Sequence, residues 1–130
     1  MKVFLSYARD DEEAARDIAT RLTDEGLDVW FDKWKTFPGD NIAKKVGRAL
    51  ESADAMVVLV TPESMKSKEV RGEISFALTT PRFEGTLIPL VLKPSDEMPG
   101  ILGRMAVRAG KNPAAAVRKI LATLQTKVAG

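Results

Sequence analysis

Cysteine and histidine are both absent from this chain of 130 residues. That excludes Ser-His-Asp and Cys-His nucleophilic sites, zinc centres built on His and Cys, and any disulfide framework. Chemistry on a substrate must therefore come from carboxylates, hydroxyls, backbone amides, lysine, arginine and aromatic faces. Closely spaced glycines are missing as well. No G-x-G-x-x-G or P-loop occurs, and the stretch Ser6-Tyr7-Ala8-Arg9-Asp10 has no glycine to bring backbone against a phosphate. The longest uninterrupted apolar run is Ala55 to Val60, far short of the ~20 residues of a membrane span, so no membrane partner is expected. A strand-like run starts at Lys2 and leaves no room for a signal peptide, so the expected setting is reducing and cytoplasmic.

A strong excess of one charge is lacking too. Twenty Lys and Arg stand against 18 Asp and Glu, a formal net charge of +2. The pI of about 9.0 reflects how little titrates between the carboxylates and the lysines once His and Cys are gone. The densest basic group, Lys44, Lys45 and Arg48, is the size of a solvated helix face, and no nucleic-acid partner is expected.

What is present is an alternation of two periodicities. Val3 to Leu5 reads as a strand. Asp10 with Glu13 has capping-box spacing ahead of a helix carrying Ala14, Ala15, Ile18, Ala19 and Leu22, which stops at Gly26. Leu27 to Phe31 is a second strand, ending in a loop turned by Pro38-Gly39. Asp40 is then expected to cap a helix with Ile42, Val46, Ala49 and Leu50 inward. Ala55 to Val60 is a strand apolar on both faces. Thr61-Pro62 opens a third helix with Val70, Ile74, Ala77 and Leu78 toward the core. Thr86 to Leu92 is a fourth strand, with Pro89 pointing to an edge or a bulge. Pro94 to Gly103 reads as a loop or irregular turn, Met105 to Ala109 as a weak fifth strand, and the stripe Ala116, Ile120, Leu121, Leu124 as a last helix.

Five alternations predict one domain over residues 1–130: an α/β fold with a flavodoxin-like five-stranded parallel sheet, order 2-1-3-4-5, and helices on both faces. Its crevice lies beyond the carboxyl ends of strands one and three. A phosphate-accepting receiver of this architecture needs an aspartate after strand three, where this chain has Thr61-Pro62. In the crevice segments, Trp34 and Phe37 flank Lys35, and Glu69 and Glu73 share one helix face at i, i+4, a like-charge spacing that raises a buried carboxylate's pKa. Solvation of Glu69, helped by Lys66 or Arg71, and a packing role for Trp34 are the plain alternatives.

Taken in order, Val3-Phe4-Leu5-Ser6-Tyr7-Ala8-Arg9-Asp10-Asp11, Gly26 to Trp34, Phe37-Pro38-Gly39-Asp40, Ser52 to Thr61 and Ser67 to Glu73 resemble the Toll/interleukin-1 receptor (TIR) domain, particularly its bacterial group. The resemblance is clear over about residues 1 to 92. It implies that Ser67-Lys68-Glu69-Val70-Arg71-Gly72-Glu73 corresponds to the motif whose closing glutamate cleaves the nicotinamide–ribose bond of NAD⁺ in enzymatic members. Glu73 takes the catalytic position, and Glu69 stands where the family has tryptophan. Tyr7, Arg9, Phe31, Trp34, Ser67 and Glu69 are the candidate substrate contacts, and Phe37, Pro38, Gly39 and Asp40 the BB loop through which TIR domains associate.

The implied activity is that of an NAD⁺ nucleosidase, activated by self-association and serving bacterial defence or host interaction. Its products would be nicotinamide and ADP-ribose or a cyclic isomer. NAD⁺ enters as substrate; no metal or resident cofactor is expected. The missing histidine fits, since nicotinamide leaves a cationic glycoside as a neutral molecule without a general acid, and one carboxylate can stabilise the oxocarbenium-like ribosyl cation. The alternative is a non-catalytic TIR–TIR interaction module in which Trp34 and Phe37 anchor the interface.

Overall fold

A computed structural model describes the backbone of residues 1–129 and the side chains of residues 1–126. Strands β1 (Lys2–Ser6), β2 (Asp28–Trp30), β3 (Ala55–Val60), β4 (Leu87–Val91) and β5 (Val107–Arg108) form one sheet. Their order is β2-β1-β3-β4-β5 and every neighbouring pair is parallel. The helices are α1 (Glu12–Asp24), α2 (Asp32–Lys35), α3 (Ile42–Ser52), α4 (Pro62–Lys66), α5 (Lys68–Leu78), α6 (Gly100–Met105) and α7 (Pro113–Ala129).

β3 is central because its sequence tolerates no water on either side: all six residues, Ala-Met-Val-Val-Leu-Val, are buried. Truncating one of them, such as Leu59→Ala, carries the ~2–5 kcal/mol cost of a core cavity. Strand parity divides the core in two. Val3, Leu5, Val29, Phe31, Val57 and Leu59 pack with α1 and α7 on one face. Phe4, Met56, Val58 and Val60 pack with Leu50, Val70 and Ile74 of α3 and α5 on the other. Pro89 pairs with Val58 on the β3 side, whereas β5 meets only Leu90 and Val91, so the proline sits where β4 has no second neighbour.

Several local expectations are corrected. α1 is entered through a 3₁₀ turn at Arg9–Asp11 and neither Asp10 nor Asp11 caps it. The Asp11 carboxylate instead accepts the buried Thr61 hydroxyl at 2.6 Å, because that hydroxyl has to be satisfied away from water. Asn41, not Asp40, caps α3 by accepting the Lys44 N–H at 3.1 Å. The third helix is two. Thr61 and Ser64 cap α4 reciprocally, and Ser67 breaks the path with extended backbone and caps α5 by accepting the Val70 N–H. Ile42 and Leu78, the terminal residues of α3 and α5, are exposed (58% and 42%) instead of core-facing. The 94–103 segment ends in α6, whose Leu102 is fully buried.

Candidate active site

A cleft of about 720 Å³ opens beyond the carboxyl ends of β1 and β2, walled by the Arg9 turn, α2, the start of α3, and α4 with α5. Parity explains which β1 and β2 side chains reach it. Phe4 pairs with Trp30 in register, and two residues further along each chain stand Ser6 and Asp32. All four line or adjoin the cleft, on the face covered by α5. Phe4 and Trp30 stack with centroids 5.1 Å apart and planes 6° from parallel, forming the aromatic end of the cleft.

α5 delivers Glu73 to the other end. Ser6 Oγ donates to Glu73 Oε1 at 2.7 Å across the sheet–helix gap. Burial pushes the Glu73 carboxyl up to about 7, the nearby charges of Asp32 and Glu69 add to the rise, and the Ser6 hydrogen bond opposes it. A carboxyl raised this far is unusual for a glutamate and is the kind of perturbation that working sites arrange. The Tyr7 hydroxyl donates to Asp32 Oδ1. Burial first and the Asp32 bond second raise the phenol's pKa above its ordinary value, so Tyr7 stays a donor.

Of the sequence-derived candidates, Tyr7, Arg9, Ser67, Glu69 and Glu73 line this one cleft. Ser67 has two duties, capping α5 and donating to Glu69 Oε2 at 3.2 Å. Glu69 is exposed and has no ion pair with Lys66 or Arg71. Phe31 and Trp34 lie elsewhere. Phe31 is fully buried on the α1/α7 face of the sheet, where Trp34 meets it edge-on at 5.1 Å, Tyr7 at 5.4 Å, and the Arg16 guanidinium covers it at 5.3 Å. The physical reason is the period of two: the aromatic of β2 that faces the cleft is Trp30, one position earlier. Sequence reasoning thus missed Trp30, Ser6 as a direct partner of Glu73, and Asp32. The alternation Phe4-x-Ser6 beside Trp30-x-Asp32 was the signal that could have found all three.

Phe37 to Asp40 form the α2–α3 loop and stay outside the cleft. Gly39 turns it with φ +91°. Asp40 accepts the Phe37 N–H and the Lys45 ammonium, both at 2.7 Å, and these bonds, the Lys45 one foremost, hold its carboxyl below the usual range. Lys45 also donates to the Lys35 carbonyl at 2.9 Å and lies 5.3 Å from the centre of the Phe37 ring, which is 64% exposed. A smaller cleft of about 450 Å³ between α1 and α7 shares only Asp10 with the first and holds none of the other candidates.

The cleft thus combines a half-buried carboxylate of raised pKa, a second carboxylate, an aromatic end and basic residues such as Arg9 and Lys68. Among the described residues no group of three or more acidic side chains is placed to hold a metal ion. No helix among them is long and apolar enough to cross a membrane.

Comparison with known proteins agrees with the fold. A segment of this chain is 30% identical over 73 residues to the 2′ cyclic ADP-D-ribose synthase BtTIR of Bacteroides thetaiotaomicron, covering 55% of this chain and 25% of that protein. Another is 28% identical over 67 residues to the probable 2′ cyclic ADP-D-ribose synthase TcpO of Methanobrevibacter olleyae, covering 51% and 20%. The matched segments therefore span a quarter or less of these relatives. In three dimensions the TIR domain of the Toll-related receptor TRR-2 from Hydra magnipapillata superimposes with a TM-score of 0.75 over 98% of both chains, at 18% identity. The TIR domain sequence profile matches residues 3–121. The chain belongs to the TIR domain family.

Proposed function

We propose that this domain is an NAD⁺ nucleosidase with Glu73 as its catalytic carboxylate. The observation that carries the reading is Glu73 itself: half-buried in a cleft of nucleotide size, one oxygen fixed by Ser6, its pKa raised to about 7. The two named synthases, which share part of this sequence, support the substrate.

In the reaction the bond between the ribose anomeric carbon and the pyridinium nitrogen breaks, and its electron pair returns to the ring, so nicotinamide leaves neutral and needs no proton. Positive charge appears on the ribosyl carbon and ring oxygen. Ionised Glu73 stabilises it electrostatically in a site where partial burial makes the carboxylate more effective than in water. Water or a hydroxyl of the same molecule then attacks and loses its proton, giving ADP-ribose or a cyclic isomer. The cationic substrate favours the ionised carboxylate, so binding itself prepares the catalyst.

The test is nicotinamide release from NAD⁺ by concentrated or bead-clustered protein, beside Glu73→Ala and Glu73→Gln. Release by the wild type and its loss in both variants is expected; no release even when clustered, or equal release by the variants, refutes the proposal. A second reading, a TIR–TIR interaction module without turnover, is favoured by the exposed Phe37 and Ile42 on and beside the ordered α2–α3 loop. It predicts self-association lost on Phe37→Ala and unaffected by Glu73→Gln, read by light scattering.

A further inference from the structure

Ser6 and Tyr7 are adjacent in the chain, and their hydroxyls each hold a different carboxylate. Ser6 donates to Glu73 Oε1 and Tyr7 to Asp32 Oδ1. The remaining oxygens, Oε2 of Glu73 and Oδ2 of Asp32, have neither a hydrogen bond nor an ion pair among the described residues. Yet no buried side-chain oxygen or nitrogen among those residues lacks a partner. Both free oxygens are therefore accessible, and both residues line the same cleft. Two carboxylates on separate elements, the first residue of α2 and the middle of α5, each present one fixed and one open acceptor.

An ionised carboxylate only accepts hydrogen bonds, so an open pair suits a ligand offering two O–H donors side by side. Tyr7 remains a donor because burial and its bond to Asp32 raise its pKa, and that bond occupies Oδ1 and leaves Oδ2 open. We infer that Asp32 is a second ligand-contacting carboxylate, and that its open oxygen together with that of Glu73 takes the vicinal hydroxyls of a pentose whose anomeric carbon faces Glu73. The inference rests on the proposed nucleosidase reading for the identity of the sugar. It gives Asp32 a function beyond tethering Tyr7: two-point attachment fixes the rotation of the sugar ring, which one carboxylate cannot do.

The experiment measures binding by calorimetry in the Glu73→Gln background, which removes turnover and keeps a hydrogen-bonding side chain at position 73. With the anomeric carbon at Glu73, that residue takes the adjacent 2′-hydroxyl and Asp32 the 3′-hydroxyl, so the probes are NAD⁺ and its analogue carrying a 3′-deoxy nicotinamide riboside. NAD⁺ is expected to bind more tightly. Adding Asp32→Asn should weaken NAD⁺ by about tenfold or more, the worth of one hydrogen bond to a charged group, and leave the analogue within about twofold. Equal weakening of both probes, or of neither, overturns the inference, since a merely structural role would not distinguish a sugar hydroxyl. Should Asp32→Asn fail to fold, Tyr7→Phe decides: with Asp32 present but untethered, NAD⁺ weakens and the analogue does not. No binding of either probe by wild type or Glu73→Gln also overturns it. Selective NAD⁺ binding without nicotinamide release, even when clustered, removes the nucleosidase reading and leaves the carboxylate pair standing.

Discussion

Replacing Glu73 by glutamine should change how stability depends on pH, independently of any activity. An ordinary glutamate titrates near 4.5, and in the folded protein Glu73 is pushed up to about 7. Between these values the unfolded chain has released the proton and the native state still holds it, so stability falls as pH rises through this window. Below about 4.5 the residue costs nothing, and above about 7 the full cost is present. At about 1.4 kcal/mol per pH unit, the interval from 4.5 to about 7 gives a penalty of up to about 3 kcal/mol for holding Glu73 ionised in its half-buried place. Glutamine keeps the shape and the ability to accept from Ser6 and never ionises. Urea unfolding of both proteins from pH 4.5 to 8.5 reads the difference. Glu73→Gln should match the wild type near pH 4.5 and exceed it increasingly, by up to about 3 kcal/mol, above pH 7. A difference that stays constant across the range would refute the claim that burial governs this carboxylate, and with it the stored electrostatic strain on which the catalytic proposal draws.

Three further outcomes follow from the same geometry. Nicotinamide release should climb from pH 6 to 8 as Glu73 ionises, and Ser6→Ala, by removing the one hydrogen bond that lowers its pKa, should move the climb to higher pH; an unmoved pH–rate profile contradicts the assignment. Thr61→Val takes the hydroxyl from Asp11 and the acceptor from the Ser64 N–H, and should cost about 2 kcal/mol in urea unfolding, as expected for a buried charged group left unpaired and a lost helix cap; an unchanged midpoint counts against the buried pair. Gly72→Ala should add about 0.5–1 kcal/mol, because Gly72 lies inside α5 and an added methyl meets nothing within 4 Å; thermal unfolding should rise by a few degrees, and a fall would mean that α5 has less room than it shows.

The sheet order was legible because it rests on local pattern, a doubly apolar Ala55–Val60 and strands alternating with helical stripes; Glu73 stood out through its i, i+4 spacing from Glu69 and through the resemblance of the Ser67 to Glu73 stretch to the TIR motif. The aromatic wall was legible only in part. Asp28 interrupts Leu27, Val29 and Phe31, so local alternation sets Phe31 on the Val29 face and Trp30 on the other; that the cleft lies on the Trp30 face follows from the register with Phe4. The carboxylate partners were hidden, since Ser6 meets Glu73 across 67 positions and Tyr7 meets Asp32 across 25. Asp10 and Asp40 looked like caps by residue type alone; Asp10 falls inside the 3₁₀ turn Arg9–Asp11 that precedes α1, and the Asp40 carboxylate is taken by the Phe37 N–H and the Lys45 ammonium. The helix-end residues Ile42 and Leu78 kept the apolar period, but each is the terminal residue of its helix and is exposed.

The single ammonium of Lys45 gathers the Lys35 carbonyl, the Asp40 carboxylate and the Phe37 ring around itself. A surface loop organised this way has already surrendered much of its conformational freedom before meeting anything, so docking through it forfeits little further entropy. Because the clasp is ionic and partly exposed, added salt loosens it. Ionic strength should then act on any assembly through this loop twice, by screening the approach of the partner and by returning the loop to a broader ensemble.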